Sequence, residues 1–240
     1  MNFAGKYKAL TFSYDDGVTQ DIRLIEIFNK FGLKGTFNLN SGLLGHRDWL
    51  AGGTIRQYKV LPDEVKDVYA GHEVAVHTVT HPNLTTLPPE EALRQVEDDR
   101  KTLEGLVGYP ICGMAYPCGG VNNNDAVASL IAENTPIRYA RTITSNGLFR
   151  PQTNLMRFQP TVYHCEFEKM EALADGFLAA EADGEHPLIF YIWGHAYEFD
   201  PSGRWEDFER LCARLAGHDD IFYGTNREVL LGMLPPAPAD

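Results

Sequence analysis

Strand-like and helix-like segments take turns along the whole of this 240-residue chain, and that alternation constrains its fold more than any other feature. "KALTFSYD", from Lys8, reads as a strand, and "QDIRLIEIFNKFG" after it as an amphipathic helix. That helix carries Ile22, Ile25 and Phe28 or Phe31 on one face and has Gly32 as its stop. Further strands fall in "KGTFNLN", "HEVAVH", "CGMAYP", "IRYARTI", "MRFQPTV", "PLIFYIWGH" and "DIFYGT", with helical stretches over 89–107, 122–134, 166–181 and 204–216. Eight strands alternating with helices predict an α/β fold in which parallel strands close into a barrel inside a ring of helices. An open doubly wound sheet is the alternative. The length suits one domain over 1–240, with a Pro-rich tail at 234–240 that is expected to fray. The stretch 41–61, "SGLLGHRDWLAGGTIRQYKVL", has no clear periodicity and is a candidate loop over a site.

With 21 Lys and Arg against 33 Asp and Glu, the net charge of −12 argues against nucleic acid and anionic membrane surfaces as partners, and favours neutral or cationic small substrates. Cys112, Cys118, Cys165 and Cys212 lack CxxC spacing and read as reduced thiols. The segment "MNFAGKYKAL" has no apolar leader core and no run is long enough to span a bilayer, so the expected location is cytoplasmic.

Side chains able to do chemistry gather at the carboxyl ends of the expected strands: Asp15 and Asp16, His77, Tyr116, Arg141 and His195. In a parallel barrel that face is where loops converge and sites are built. "HTVTHPNL" sets His77 and His81 four residues apart just after a strand, and Pro82 makes a tight non-helical loop as plausible as a helical turn. Two imidazoles and a carboxylate from Asp16 suit a divalent ion, zinc first, with coordination positions left for water and substrate; solvated loop histidines are the alternative. Neighbouring strand residues point to opposite faces, so Asp15 and Asp16 enter one site only if the chain bends, which Gly17 permits. One carboxylate can then hold the ion while the other faces water and accepts its proton. Trp193, two before His195, shares its face and could wall a small apolar pocket; Tyr197, Trp205 and Trp49 could stack on sugar rings.

"TFSYDDG", "HTVTHPNL", "AYPCGG" and "FYIWGH" stand in the order and rough spacing of the polysaccharide deacetylase family, the fourth family of carbohydrate esterases, and residues 10 to about 195 resemble it. The resemblance implies a distorted (β/α) barrel of seven or eight strands that removes acyl groups from N-acetylated sugars, or acetyl esters from glycans. It also implies Asp15 as general base, Asp16, His77 and His81 as metal ligands, and His195 as general acid. The ion expected is zinc, with cobalt, manganese or nickel as alternatives. Two departures stand out. Where the family carries an arginine that pairs with the base, this chain has Ala115, and Arg141 is the candidate to approach from another strand. The family's acid-orienting Asp-Trp pair has no clear counterpart, and Glu198 or Asp200 is the candidate replacement. Tyr116 and Cys118 fall on the substrate side, Cys118 through its backbone N–H, which the family uses to hold the oxyanion. The expected activity is metal-dependent hydrolysis of a non-peptide C–N bond in an acylated sugar or related amide. An O-acetyl esterase, a small-amide hydrolase and a non-catalytic carbohydrate-binding pseudoenzyme are the alternatives.

Overall fold

The computed structural model describes residues 2–47, 49–51 and 55–232. Its strands are β1 (Lys8–Asp15), β2 (Gly35–Leu39), β3 (Trp49–Ala51), β4 (Ile55–Gln57), β5 (Glu73–Val76), β6 (Gly113–Ala115), β7 (Tyr139–Arg141), β8 (Val162–Tyr163), β9 (Leu188–Gly194) and β10 (Ile221–Tyr223). Seven run parallel in the order β7-β6-β5-β2-β1-β9-β8. The eighth, β10, pairs with the first half of β1, and β2 takes the second half. The two margins of the curled sheet meet in one stretch of chain: Phe158 bridges Arg141 at the end of β7, while Val162 and Tyr163 pair with β9. The result is a single α/β domain with a distorted parallel barrel, as expected.

All eight residues of β1 are buried, as a central parallel strand covered on both faces requires. Leu10, Phe12 and Tyr14 pack outward in the main apolar core under the helices. Thr11, Ser13 and Asp15 point into the barrel, where polar side chains pair with one another. Thr11 donates to Asn226 at 2.9 Å, and Glu73 accepts from Thr36 at 2.8 Å and from Tyr139 at 3.0 Å.

The helices are α1 (Gln20–Phe31), α2 (Val65–Val68), α3 (Pro89–Val107), α4 (Asp125–Asn134), α5 (Phe167–Ala179), α6 (Phe199–Ser202), α7 (Trp205–Leu215) and α8 (Asn226–Leu231). On α1 the buried face is Leu24, Ile25, Ile27 and Phe28, whereas Ile22 is 42% exposed, so the expected stripe is rotated by part of a turn. Gly32 ends α1 as expected, at φ 68°, with its N–H returning to the last turn. None of the described helices is long and apolar enough to cross a membrane.

The expected strand "MRFQPTV" is mostly not one. Leu155–Arg157 forms a 3₁₀ turn, and only Val162–Tyr163 pairs as strand, because Pro160 has no N–H to give to a ladder. The stretch 41–61 contains the antiparallel pair β3–β4 and then lies along the chain that follows β1. There Val60 N–H donates to Gly17 O at 3.0 Å, and Thr19 N–H to Tyr58 O at 2.8 Å. The expected fraying of 234–240 falls outside the described residues.

Candidate active site

Asp15, Asp16, His77, His81, Arg141, Trp193 and His195 meet at the carboxyl ends of β1, β5, β7 and β9. The bend that admits both aspartates starts one residue earlier than expected: Asp16 itself lies at φ 84°, followed by Gly17 at φ 61°. Thr78, His81 and Cys118 are also left-handed, at φ 71°, 62° and 69°. Four non-glycine residues in this region around one cluster is stored backbone strain, held by the surrounding bonds. Those bonds are in place. Asn40 donates to the carbonyls of His77 at 2.5 Å and Thr78 at 3.0 Å, Asp99 accepts from His77 N–H at 3.0 Å, and Thr78 Oγ1 accepts from His81 N–H at 3.1 Å.

Asp16 Oδ1 lies 3.8 Å from His77 Nε2 and 3.5 Å from His81 Nε2. Nδ1 of His77 donates to Ala115 O at 2.9 Å, so the ring is fixed with its Nε2 lone pair toward Asp16. Burial, outweighing the nearby aspartates, pushes His77 down to about 4, and lowers His81 as well, so both rings are neutral at pH 7 and able to ligate. Burial works against the charge on Asp16, but Lys59 and the three histidines outweigh it and hold the carboxyl well below the usual range. Asp16, His77 and His81 place their donor atoms within 4.8 Å of one another, a set that could hold a divalent ion.

Beside this triad Asp15 is buried and charged. Burial alone would raise it; the Arg141 guanidinium, in direct contact with Oδ2, and then His77 and His195 bring it below its ordinary value. Arg141 is completely buried, donates to Ser13 Oγ at 3.2 Å, and lies 4.5 Å from the centre of the Trp193 ring. Asn38 donates to Asp15 Oδ1 at 2.8 Å. The pairing that Ala115 cannot make is thus made from β7.

His195 Nε2 lies 4.0 Å from Asp15 Oδ2 on the open side, while its Nδ1 is 3.0 Å from Glu198 Oε2. Burial disfavours the charged ring, but the hydrogen bond to Glu198 and its charge overcome this and raise His195 to about 9. Glu198 is itself clamped, by His164 Nε2 at 2.8 Å and by the Tyr163 hydroxyl. Asp200, the other candidate for this place, instead accepts from Trp205 Nε1 at 2.8 Å and Gln20 at 2.8 Å. Trp205 is thereby held in the core, 5% exposed, away from any sugar.

Trp193 stands between Arg141 and Tyr163, stacked on the latter with ring centres 4.5 Å apart, and its indole N–H donates to Ser145. Tyr116 is not on the open side: its ring is in the core and its hydroxyl donates to Met156 O at 2.8 Å, so it offers no side chain to a substrate. The Cys118 thiol contacts His81 O at 3.2 Å and so braces the histidine loop. Two residues of 41–61 reach the cluster as well: Lys59 donates to Asp16 O at 2.8 Å, and Gln57 Nε2 lies 3.4 Å from Asp16 Oδ2. Sequence reasoning placed that stretch over the site without naming either side chain. His164 is buried beneath Glu198, and His72 sits at the far end of β5, accepting from Gly35 N–H at 3.1 Å.

The fold and site together are a parallel barrel with an Asp-His-His cluster, a second aspartate and a third imidazole on its carboxyl rim. Residues 3–139 match the family model described as polysaccharide deacetylase, and the chain belongs to that family. Among curated proteins it is 24% identical over 146 residues to the putative polysaccharide deacetylase YxkH of Bacillus subtilis, covering 60% of this chain and 48% of that protein. It is 34% identical over 80 residues to the peptidoglycan-N-acetylmuramic acid deacetylase PdaC of the same organism, covering 33% of this chain and 17% of the other. The matches thus span half or less of those relatives' own lengths. Among solved structures, the family 4 carbohydrate esterase of Streptomyces lividans in complex with acetate shares the fold with TM-score 0.55 at 18% identity, over 91% of this chain and 92% of that one. A family pseudoenzyme from Bacillus anthracis, BA3943, shares it with TM-score 0.56 at 18% identity, over 94% and 65%.

Proposed function

We propose that this protein is a metal-dependent hydrolase that deacylates an N-acetylated sugar or a related amide. Asp16, His77 and His81 would hold one divalent ion, zinc first among the candidates. The donor set fits: two neutral imidazoles with lone pairs facing a carboxylate, one of them locked in orientation by a backbone carbonyl. When bound, the ion supplies Lewis acidity to the acyl carbonyl and a more acidic water.

The observation that carries the reading is the pair flanking the triad. Asp15 is held ionised by Arg141 and His195 is held protonated by Glu198, with Asp15 Oδ2 and His195 Nε2 4.0 Å apart. Opposed environments that push two titratable groups apart are the mark of an acid and a base working together. Asp15 accepts the proton of the attacking water, and His195 gives a proton to the departing amine. The Cys118 N–H is our candidate donor to the acyl oxygen, supported by that residue's contact with His81, and Trp193 is our candidate wall for the acyl group. A saccharide substrate rests on the family.

Replacing His195 by Ala separates this from an esterase reading. An amine leaves poorly unless it is protonated, whereas an activated ester does not need the acid. His195→Ala should therefore lower amide turnover by roughly 10²- to 10⁴-fold and hydrolysis of an activated acetyl ester much less, with metal content unchanged. Equal losses on both substrates would reassign His195 to positioning. The pseudoenzyme alternative predicts that no acylated sugar or amide is turned over even with metal bound.

A further inference from the structure

Outside the triad, a second set of metal-binding side chains converges among the described residues. His164, Cys165 and Glu198 each offer one donor atom within 4.8 Å of the others. All three line a cavity of about 110 Å³, walled also by Phe167, Phe199 and Arg204, which is room for a cation with its remaining waters. Nitrogen, sulfur and carboxylate oxygen together suit zinc and cobalt and discriminate against magnesium and calcium.

The two sets differ in how free their donors are. His77 and His81 turn Nε2 toward Asp16 at 3.5–3.8 Å, beyond hydrogen-bond reach. In the second set Glu198 Oε2 already accepts from His164 Nε2 at 2.8 Å and from His195 Nδ1 at 3.0 Å, and Oε1 accepts from Tyr163. A cation entering here must break those bonds, so it binds after the triad is filled.

We propose that His164, Cys165 and Glu198 form a second, weaker site for a zinc-like ion, and that filling it inhibits the enzyme by drawing Glu198 away from His195. The proton count closes without a co-reactant. The Cys165 thiol loses its proton to solvent. The His164 proton moves from Nε2 to Nδ1, which lies 3.3 Å from the Tyr14 hydroxyl and can donate to it. The loss of activity rests on the reading of His195 as the acid; the binding does not.

Cobalt titration of the metal-stripped protein tests both. The wild type should take up two equivalents, the second with a thiolate-to-cobalt absorption band. Cys165→Ser should lose the band and the second equivalent while keeping the first, Cys118→Ser should keep the band, and His81→Ala should keep it while losing the tight equivalent. Excess zinc should then inhibit acyl release by the wild type and not by Cys165→Ser, where the serine hydroxyl preserves the local packing. Absence of the band at any cobalt excess, its survival in Cys165→Ser, its loss in Cys118→Ser, or equal zinc inhibition of both proteins would overturn the proposal. Failure of the triad reading would look different: His81→Ala would bind the first equivalent as tightly as the parent, whatever the band does.

Discussion

His77 and His195 both follow a buried parallel strand on the same rim, yet one is pushed down to about 4 and the other up to about 9. Burial lowers both, so burial does not separate them. The difference is the partner of Nδ1: a backbone carbonyl, Ala115 O, for His77, and the Glu198 carboxylate for His195. A neutral acceptor fixes a ring's orientation and leaves it able to ligate; an anionic acceptor also holds its proton. The proposed ligand half of the site is accordingly built from strained backbone and neutral rings, and the proposed acid half from a carboxylate clamped by His164 and Tyr163. One residue type is thus set in two protonation states on one rim, by the partner of its Nδ1.

The contrast breaks most severely at Arg141. Arg141→Met strands the Asp15 carboxylate without its buried cation, a loss of roughly 3–5 kcal/mol. Asp15 is depressed in the folded state, so its pairing contributes stability at pH values above its ordinary pKa of 3.8 and loses it as pH falls through the lower folded value. The variant should be less stable at neutral pH by chemical denaturation, and the acidic limb of its pH–rate profile should move to higher pH. An unshifted limb with activity intact would mean that Arg141 does not set the base.

A smaller effect is expected at Glu198. A general acid works only while protonated, so activity falls as pH rises through its pKa. Glu198→Gln lets His195 drop from about 9 toward its ordinary 6.5 and should move the basic limb to lower pH. Turnover at pH 8 should fall by roughly 10- to 100-fold, with the tightly bound ion retained. The raised His195 also contributes stability that is complete below 6.5 and lost as pH rises through about 9, so the same variant should show a flatter stability profile across that window. Asp200→Asn should shift neither limb, because Asp200 serves Trp205; a shift there would move the orienting role from Glu198.

Much of the Asp-His-His cluster was legible because its residues lie close together in sequence and on strand ends: "DDG" after β1 and "HTVTH" after β5. Strand β1 and helix α3 matched their expected bounds, each being long and strongly patterned. The supports were not legible to the same degree. Arg141 reaches Asp15 only because the curled sheet brings β7 across the barrel to β1, a contact spanning 126 residues of sequence. Choosing Glu198 over Asp200 needed the turn after β9, which aims the first carboxylate at His195 and the second at α7. Lys59 and Gln57 left no signal, since the register of 41–61 against the chain after β1 is set by backbone bonds that no side-chain pattern encodes. Tyr116 misled because a strand-end position indicates a rim and not which way the ring turns.

Chelation and reconstitution test the central claim most directly. Acyl release from N-acetylated saccharides and small amides would be measured before and after stripping the protein, and again after zinc is returned, with elemental analysis alongside. The account predicts one tightly bound ion per chain, activity lost with that ion and restored with it, and neither tight binding nor restoration in His81→Ala, since two remaining ligands do not retain zinc. Turnover that survives complete removal of metal, or a zinc-loaded chain that releases acyl groups from none of these substrates, would contradict it.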